Sequence, residues 1–363
     1  MNKKVVQIIA PCWVNKGDRL MIDSLYQELG QDYYLPIPLW NMVPASQFWS
    51  PVNFFKMGMQ GGKRFFQTMK NGKPSVFLDA SGYQLGDPWE KMSTALSMRL
   101  TFYQYYKKKG VKLIMLPQSM GPFTNPLVAS NAAGILQLAD LIFVRCEESR
   151  KHALSVGCPE KKIMLAPDYS NLVSPEPADL EKWHDVVCLV PSMRMMDKTP
   201  GDLKDKYFES MIRFTQLIKA KGLKPCLLVH QQEDLTLARQ INDALDTPVM
   251  LVDPEPQEAK SIIASSRAII GSRYHSIVSA LSQATPIIGT GWTHKYQSLF
   301  NDYDSVDYLL ADYTSARAIE ESLDKVLDEN TRPALISTLT ERSEALKGRT
   351  RLMYQRLREE IES

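Results

Sequence analysis

Along most of the chain, short runs of consecutive apolar residues rich in Val and Ile alternate with longer stretches in which apolar residues recur every third or fourth place. The runs read as strands buried on both faces, and the stretches as helices with one apolar stripe. On this pattern strands are expected at 5–10, 33–39, 76–79, 112–116, 141–144 and 162–166. Helices are expected over 18–29, 90–109, 126–139 and 147–156, with Asp18 placed as the N-cap of the first. Residues 171–185 carry Ser174-Pro175-Glu176-Pro177 and little apolar content, and they interrupt the alternation. It restarts with strands at 186–190, 226–229 and 249–252 and helices at 204–221, 233–245 and 257–265. The tail from 315 to 363 reads as two charged helices.

Alternation in both halves implies an α/β chain of two Rossmann-like, doubly wound parallel sheets facing across a cleft. The expected division is an N-terminal domain over 1–170, a linker over 171–185, a C-terminal domain over 186–335 and a closing helix over 336–363. Ligands of such sheets gather where strands end. Those places hold Asp18, Gln118, Arg145, Asp168, Arg194, Arg273 and Lys295.

One stretch concentrates the candidate chemistry. The run Ala268-Ile-Ile-Gly271 ends in Ser272-Arg273-Tyr274-His275, followed by Ile277, Val278, Leu281 and Ala284 at helical spacing. This predicts a buried strand feeding a helix, with Ser272 as N-cap and Arg273 and His275 in the first turn. A helix start offers free N–H groups and the positive end of the dipole to an anion. A further strand, 286–291, delivers His294 and Lys295 to the same neighbourhood. The grouping suits a phosphate or carboxylate beside a proton donor.

Composition narrows the function. The formal charge of +2 leaves no bulk positive field for nucleic acid. The five cysteines lack ligand or CxxC spacing, which points to reduced thiols in a cytoplasmic protein and to no metal site. No run reaches the roughly 18 apolar residues of a membrane span. Residues 43–75 differ from the rest: they hold no acid and interleave Phe48, Trp49, Phe54, Phe55, Phe65 and Phe66 with Lys56, Lys63, Arg64, Lys70 and Lys73. Such a segment suits peripheral contact with an anionic inner leaflet or a polyprenyl diphosphate, or else forms a helical insertion with a wet basic face.

Several pieces in fixed order resemble the polysaccharide pyruvyl transferase family. They are Asn15-Lys-Gly17-Asp18, Leu116-Pro-Gln118-Ser-Met-Gly121-Pro122, Val144-Arg145 with Ser149, Leu154 and Gly157, then Asp168, and last Gly271-Ser-Arg273-x-His275 with Ala280, Pro286 and Lys295. Three positions depart from the family pattern: Asp79-Ala80-Ser81-Gly82 at a glycine-rich turn, Cys146 at an acid, and Trp292-Thr-His294 where tyrosine is common. The resemblance implies a GT-B-like fold and transfer of an enolpyruvyl-derived group from phosphoenolpyruvate, a co-substrate, with no cofactor. The product would be a pyruvate ketal on a polysaccharide or lipid-linked sugar.

Under that resemblance His275 and Asp18 would be catalytic. Arg273, Lys295, Arg145, Arg194, Ser272 and His294 would hold the donor, and Asn15, Gln118 and Asp168 the acceptor. A GT-B glycosyltransferase using a nucleotide-sugar, or a non-catalytic scaffold on the same fold, shares most of these features. Blander expectations stand beside them: Asp18 and Ser272 as mere caps, Arg145 pairing with Glu147 or Glu148 at the surface, Arg194 solvated, and His230 an ordinary strand-end residue.

Overall fold

The computed structural model describes residues 3–9, 15–37, 73–175, 180–197, 201–291 and 293–363. The basic, aromatic segment therefore lies outside the described residues except for 73–75. The chain divides into two compact units. One comprises Met1–Val14, Met21–Tyr169 and Arg349–Ser363; the other comprises Asn15–Leu20 and Ser170–Gly348.

The first unit is built on a five-stranded parallel sheet in the order β1 (Val6–Ile9), β2 (Val76–Asp79), β3 (Lys112–Gln118), β4 (Leu141–Val144), β5 (Ile163–Leu165). Helices α1 (Lys16–Leu29), α2 (Ser93–Lys107), α3 (Pro126–Leu138) and α4 (Glu147–Ser155) connect it. Of the strand expected at 33–39, the described residues 33–37 form only a bridge. Tyr34 and Pro36 offer carbonyls to Val6 and Ile8, at 2.9 and 3.0 Å, but a proline has no N–H to continue a ladder. The segment stays a single bridge beside β1. The core here includes Phe77, Leu113, Met115, Ile135 and Ile142, all essentially excluded from water.

The second unit carries a second parallel sheet, whose strands β6 (Val186–Val190), β7 (Lys224–Leu228), β8 (Met250–Val252), β9 (Ala268–Gly271) and β10 (Ile287–Gly289) lie in the order β10-β9-β6-β7-β8. Its helices are α5 (Gly201–Ala220), α6 (Asp234–Asp243), α7 (Pro256–Ser265), α8 (Tyr274–Ser282), α9 (His294–Asp302), α10 (Ala316–Leu327) and α11 (Arg332–Glu362). Because β6 has β7 on one side and β9 on the other, the strand order reverses between β6 and β9. Loops leaving those two strands diverge there and open a crevice above the sheet. Two helices are shared: the first turn of α1 counts with the second unit, and α11 from Arg349 onward with the first. There the Tyr354 hydroxyl meets Ser24 Oγ at 2.8 Å, and Ser24 Oγ donates to the Tyr169 carbonyl at 2.8 Å. No helix among the described residues is long and apolar enough to cross a membrane.

Close packing gives a direct test. A Cβ on Gly289 in β10 would lie 2.3 Å from the Phe300 ring, which is fully buried, whereas one on Gly348 in α11 would meet nothing within 4 Å. Gly289→Ala should cost about 1–3 kcal/mol, lowering the melting midpoint by roughly 2–4 °C per kcal/mol. Gly348→Ala should raise stability by about 0.4–1 kcal/mol. Thermal melts of both variants check the pair.

Candidate functional site

Buried hydroxyls tie together the strand ends at the reversal between β6 and β9. The Tyr207 hydroxyl, from α5, donates to Ser272 Oγ at 2.7 Å and accepts from the Ser192 N–H at 3.0 Å. Ser272 Oγ lies 2.6 Å from Thr290 Oγ1, and the Tyr296 hydroxyl donates to the Ser272 carbonyl at 3.2 Å. Ser272 thus ties together the ends of β9 and β10. It does not cap α8, whose N-cap position belongs to Arg273 with no side-chain bond. Burial pushes the Tyr207 phenol far above its ordinary range and the Tyr296 phenol up to about 12, so both stay protonated donors.

Arg273 is held from two sides. Its Nε donates to Asp234 Oδ2 at 2.8 Å, its Nη2 to Asp234 Oδ1, and the same Nη2 to Glu233 Oε1 at 2.9 Å. Asp234 is wholly buried and also accepts from the Met193 N–H at 2.8 Å. Burial raises its carboxyl while Arg273 pulls it down. Arg194 pairs with Asp197 at 2.7 Å and reaches Glu233 at 3.3 Å, so it is not simply solvated. Each of these guanidinium groups carries its own carboxylate. The fork that presents Nε and Nη2 to Asp234 leaves the Nη1 edge of Arg273 outside the clamp.

His275 occupies the first turn of α8, and Gly17 is what makes room for it. A Cβ on Gly17 would fall 2.1 Å from Nδ1 of the imidazole. Gly17 lies in the first turn of α1, capped by Asn15 rather than by Asp18: Asn15 Oδ1 accepts from Gly17 N at 2.9 Å and Asp18 N at 3.4 Å. Asp18 follows as a buried acid in that turn, where the helix dipole favours a negative charge. The turn is fastened to the end of β7, where Lys16 Nζ donates to the Val229 carbonyl at 2.7 Å and pairs with Asp253. Asn15 bridges to Gln231, and Arg19 pairs with Glu255 at 2.7 Å.

Between Val229 and Gln231 stands His230, nearly 98 % removed from solvent at 2 % exposure. Burial, followed by His275, Lys16 and Arg273, holds its imidazole well below the usual histidine range. The sequence gives it only as a strand-end residue, because a strand-end histidine has no motif of its own. Lys295, in the first turn of α9, rests its ammonium 5.0 Å from the Tyr274 ring and 5.4 Å from the Tyr296 ring. Tyr274 in turn meets His275 edge-on at 5.4 Å. His294 opens the same helix.

The remaining expected residues belong to the first unit. Arg145 pairs with Asp168 at 2.7 Å, both side chains nearly dry, and its Nη2 touches Met21 Sδ at 3.1 Å. The surface pairing of Arg145 with Glu147 or Glu148 is therefore replaced by a buried one. Gln118 accepts from Ser81 Oγ at 3.5 Å, and its buried Nε2 has no partner among the described residues. Next to it lies a cluster absent from the sequence reading. Fully buried Asp79 takes Arg99 Nη2 at 2.7 Å, the Tyr103 hydroxyl at 2.8 Å and the Ser81 N–H at 3.1 Å. The departure Asp79-Ala80-Ser81-Gly82 marked the place, but Arg99 and Tyr103 come from α2 and no local spacing reveals them. Cys146 caps α4, its Sγ accepting from Ser149 N at 3.5 Å.

The buried His230 makes a testable pH claim. Below the ordinary histidine value of 6.5 the unfolded chain binds a proton that the folded chain refuses. This group's contribution is constant above that value, and stability falls as pH drops beneath it, by roughly 1.4 kcal/mol per pH unit for one proton. Urea midpoints measured from pH 7.5 to 5 should slope downward toward acid, and less steeply in His230→Gln. Equal slopes would refute the assignment.

Comparison with known proteins follows the same geometry. Solved structures of similar fold include the UDP-GlcNAc 2-epimerase of Neisseria meningitidis bound to UDP-GlcNAc, with a TM-score of 0.59 at 11% identity over 98% of this chain and 100% of that one. The S. aureus MnaA–UDP structure gives 0.56 at 13% over 93% and 91%, and a glycosyltransferase from Rickettsia africae gives 0.54 at 14% over 99% and 98%. At these identities the likeness is one of fold, and the fold is that of GT-B enzymes. No curated protein matches the sequence. The profile of polysaccharide pyruvyl transferases matches residues 15–294, a span opening on the residue that caps α1 and closing on the first residue of α9, and by that match the chain belongs to the polysaccharide pyruvyl transferase family, a family of transferases.

Proposed function

We propose that this transferase takes phosphoenolpyruvate as donor and a pair of sugar hydroxyls as acceptor, closes a pyruvate ketal and releases phosphate. The observation that carries the reading is the seat of His275 against Gly17, between the first turns of α8 and α1. An acid is needed to protonate the methylene carbon of the donor, and an imidazole held at a helix start beside an anion is suited to that step. Protonation leaves an oxocarbenium-like carbon. One hydroxyl adds to it, phosphate departs, and the second hydroxyl completes the ketal.

The donor brings a phosphate and a carboxylate. The Nη1 edge of Arg273, Lys295, Arg194, His294 and the N–H groups of α8 and α9 are the groups of the second unit suited to them. Since the Asp234 clamp already fixes Arg273, that side chain loses little freedom on binding. On the acceptor side we assign Asn15, Asp18, Gln118 and Asp168, with Arg145 holding Asp168 in place. The acceptor would be a polysaccharide precursor, lipid-linked if 43–75 docks the enzyme at the inner leaflet of a membrane. Sedimentation with anionic liposomes at low salt should then pull down the chain, and failure to bind would count against docking.

Phosphate release from phosphoenolpyruvate with a panel of methyl hexopyranosides tests the reaction. Stabilisation against heat by phosphoenolpyruvate but not by UDP or GDP is expected; the opposite preference would favour a nucleotide-sugar enzyme. His275→Ala should lower kcat by about 10²–10⁴ while the KM for phosphoenolpyruvate moves little. Gly17→Ala should do much the same by evicting the ring. A fully active His275→Ala enzyme would remove the imidazole from the mechanism.

A further inference from the structure

The second imidazole of this site has an unusual setting. His230 is packed at the end of β7 with its Nε2 buried and without a partner among the described residues. Burial and the cations near it keep the ring neutral, and a neutral imidazole has one nitrogen without a proton, free to accept. The charged and titratable groups that act on it come from three other elements: His275 from α8, Lys16 from α1, itself paired with Asp253, and Arg273 from the β9–α8 turn, itself paired with Asp234 and Glu233. A buried ring nitrogen with no partner among the described residues is costly to the fold. Such a cost is explained if a ligand supplies the donor.

We propose that Nε2 of His230 is the proton acceptor of the reaction, taking the proton of the attacking sugar hydroxyl while His275 supplies one to the donor's methylene carbon. This rests on the pyruvyl transfer proposed above. Phosphoenolpyruvate itself offers Nε2 no hydroxyl when fully ionised; the sugar does. The step balances as follows. His275 gives its proton to the methylene carbon, the first hydroxyl oxygen bonds to the neighbouring carbon, and that hydroxyl's proton passes to His230. The carbon–oxygen bond to phosphate then breaks, and the departing oxygen takes the proton from His230. The second hydroxyl adds to the cation so formed and its proton returns to His275. Both imidazoles end as they began, and phosphate leaves with one proton. Two like groups given opposite tasks by their surroundings is the usual arrangement for acid and base working in one site.

The test uses the full chain labelled with ¹⁵N at its five histidines, with His230→Gln assigning the His230 signals. At pH 7 the expected spectrum shows His230 neutral, protonated on Nδ1 and bare on Nε2. In turnover with phosphoenolpyruvate and a methyl hexopyranoside, His230→Gln should lose about 10²-fold in kcat with the KM for phosphoenolpyruvate within threefold. Its kcat/KM should also lose the fall toward acid that the wild type shows, which a merely structural role would not remove. His230→Asn guards against a folding defect peculiar to glutamine. A protonated Nε2 at pH 7, or full activity in both variants, would overturn the role of His230 alone. A wild-type chain whose His275 signals ignore phosphoenolpyruvate and which releases no phosphate would overturn the donor assignment, and this proposal with it.

Discussion

Arg273 and Asp234 meet where the strand order of the second sheet reverses, and the other contacts of that crevice depend on their pairing. A bidentate guanidinium–carboxylate pair with one partner wholly buried is only as good as its geometry, since both ions have given up water. Here the geometry is reinforced. Asp234 also receives the Met193 N–H from the loop after β6, and Glu233 holds Arg273 and Arg194 together. Three loops, after β6, β7 and β9, are thereby fixed to one another. Losing one partner would strand a buried charge, at a cost of about 3–5 kcal/mol, far above the 0–1 kcal/mol of an exposed pair. The clamp is therefore first a device that sets the shape of the crevice and only second a source of positive charge.

The hydroxyl chain from Tyr207 through Ser272 to Thr290 extends that rigidity to β10. Its consequence for chemistry is indirect. With Ser272 spent on neighbouring strands, the start of α8 keeps its N–H groups uncapped by a side chain, while α1 presents Asn15 as a proper cap beside it. The imidazole of His275 lies between these two helix starts, in a space that only a glycine at 17 leaves open. Position in a fold of this kind comes from what surrounding residues omit as much as from what they add.

Much of this was legible in the sequence. Strands 141–144, 186–190 and 268–271 stand where the apolar runs put them, because a strand buried on both faces can hardly be written otherwise. The placing of Arg273 and His275 at a helix start after such a strand was legible too. What escaped was non-local or competing. Asp18 reads as a cap as well as Asn15 does, and only the hydrogen bonds decide between them. Tyr33 to Leu39 has strand composition, but Pro36 removes a ladder donor. Asp234 lies 39 residues from the arginine it holds, in an acidic helix start that looks like dipole compensation. Asp79 and Arg99 are hidden by the same distance effect, since a buried pair leaves no period in the chain.

On the reading proposed above, the compensated arginines bear on how a multiply charged donor would be recognised. Around the crevice, Arg273 and Arg194 face Asp234, Glu233 and Asp197, so these five groups together carry no positive excess. A site that relied on net charge would attract any polyanion at long range, nucleotides included. One that relies on a fixed Nη1 edge, helix N–H groups and a lysine resting on two tyrosine rings recognises the placement of oxygens instead. Directional bonds of this kind are worth about 1.5–3 kcal/mol each when charge-assisted, and they are lost when an oxygen is misplaced. On the reading proposed above, selectivity for a small, compact acid over a nucleotide-sugar would then come from where the clamp points Arg273, and so from the carboxylate of Asp234 that fixes it.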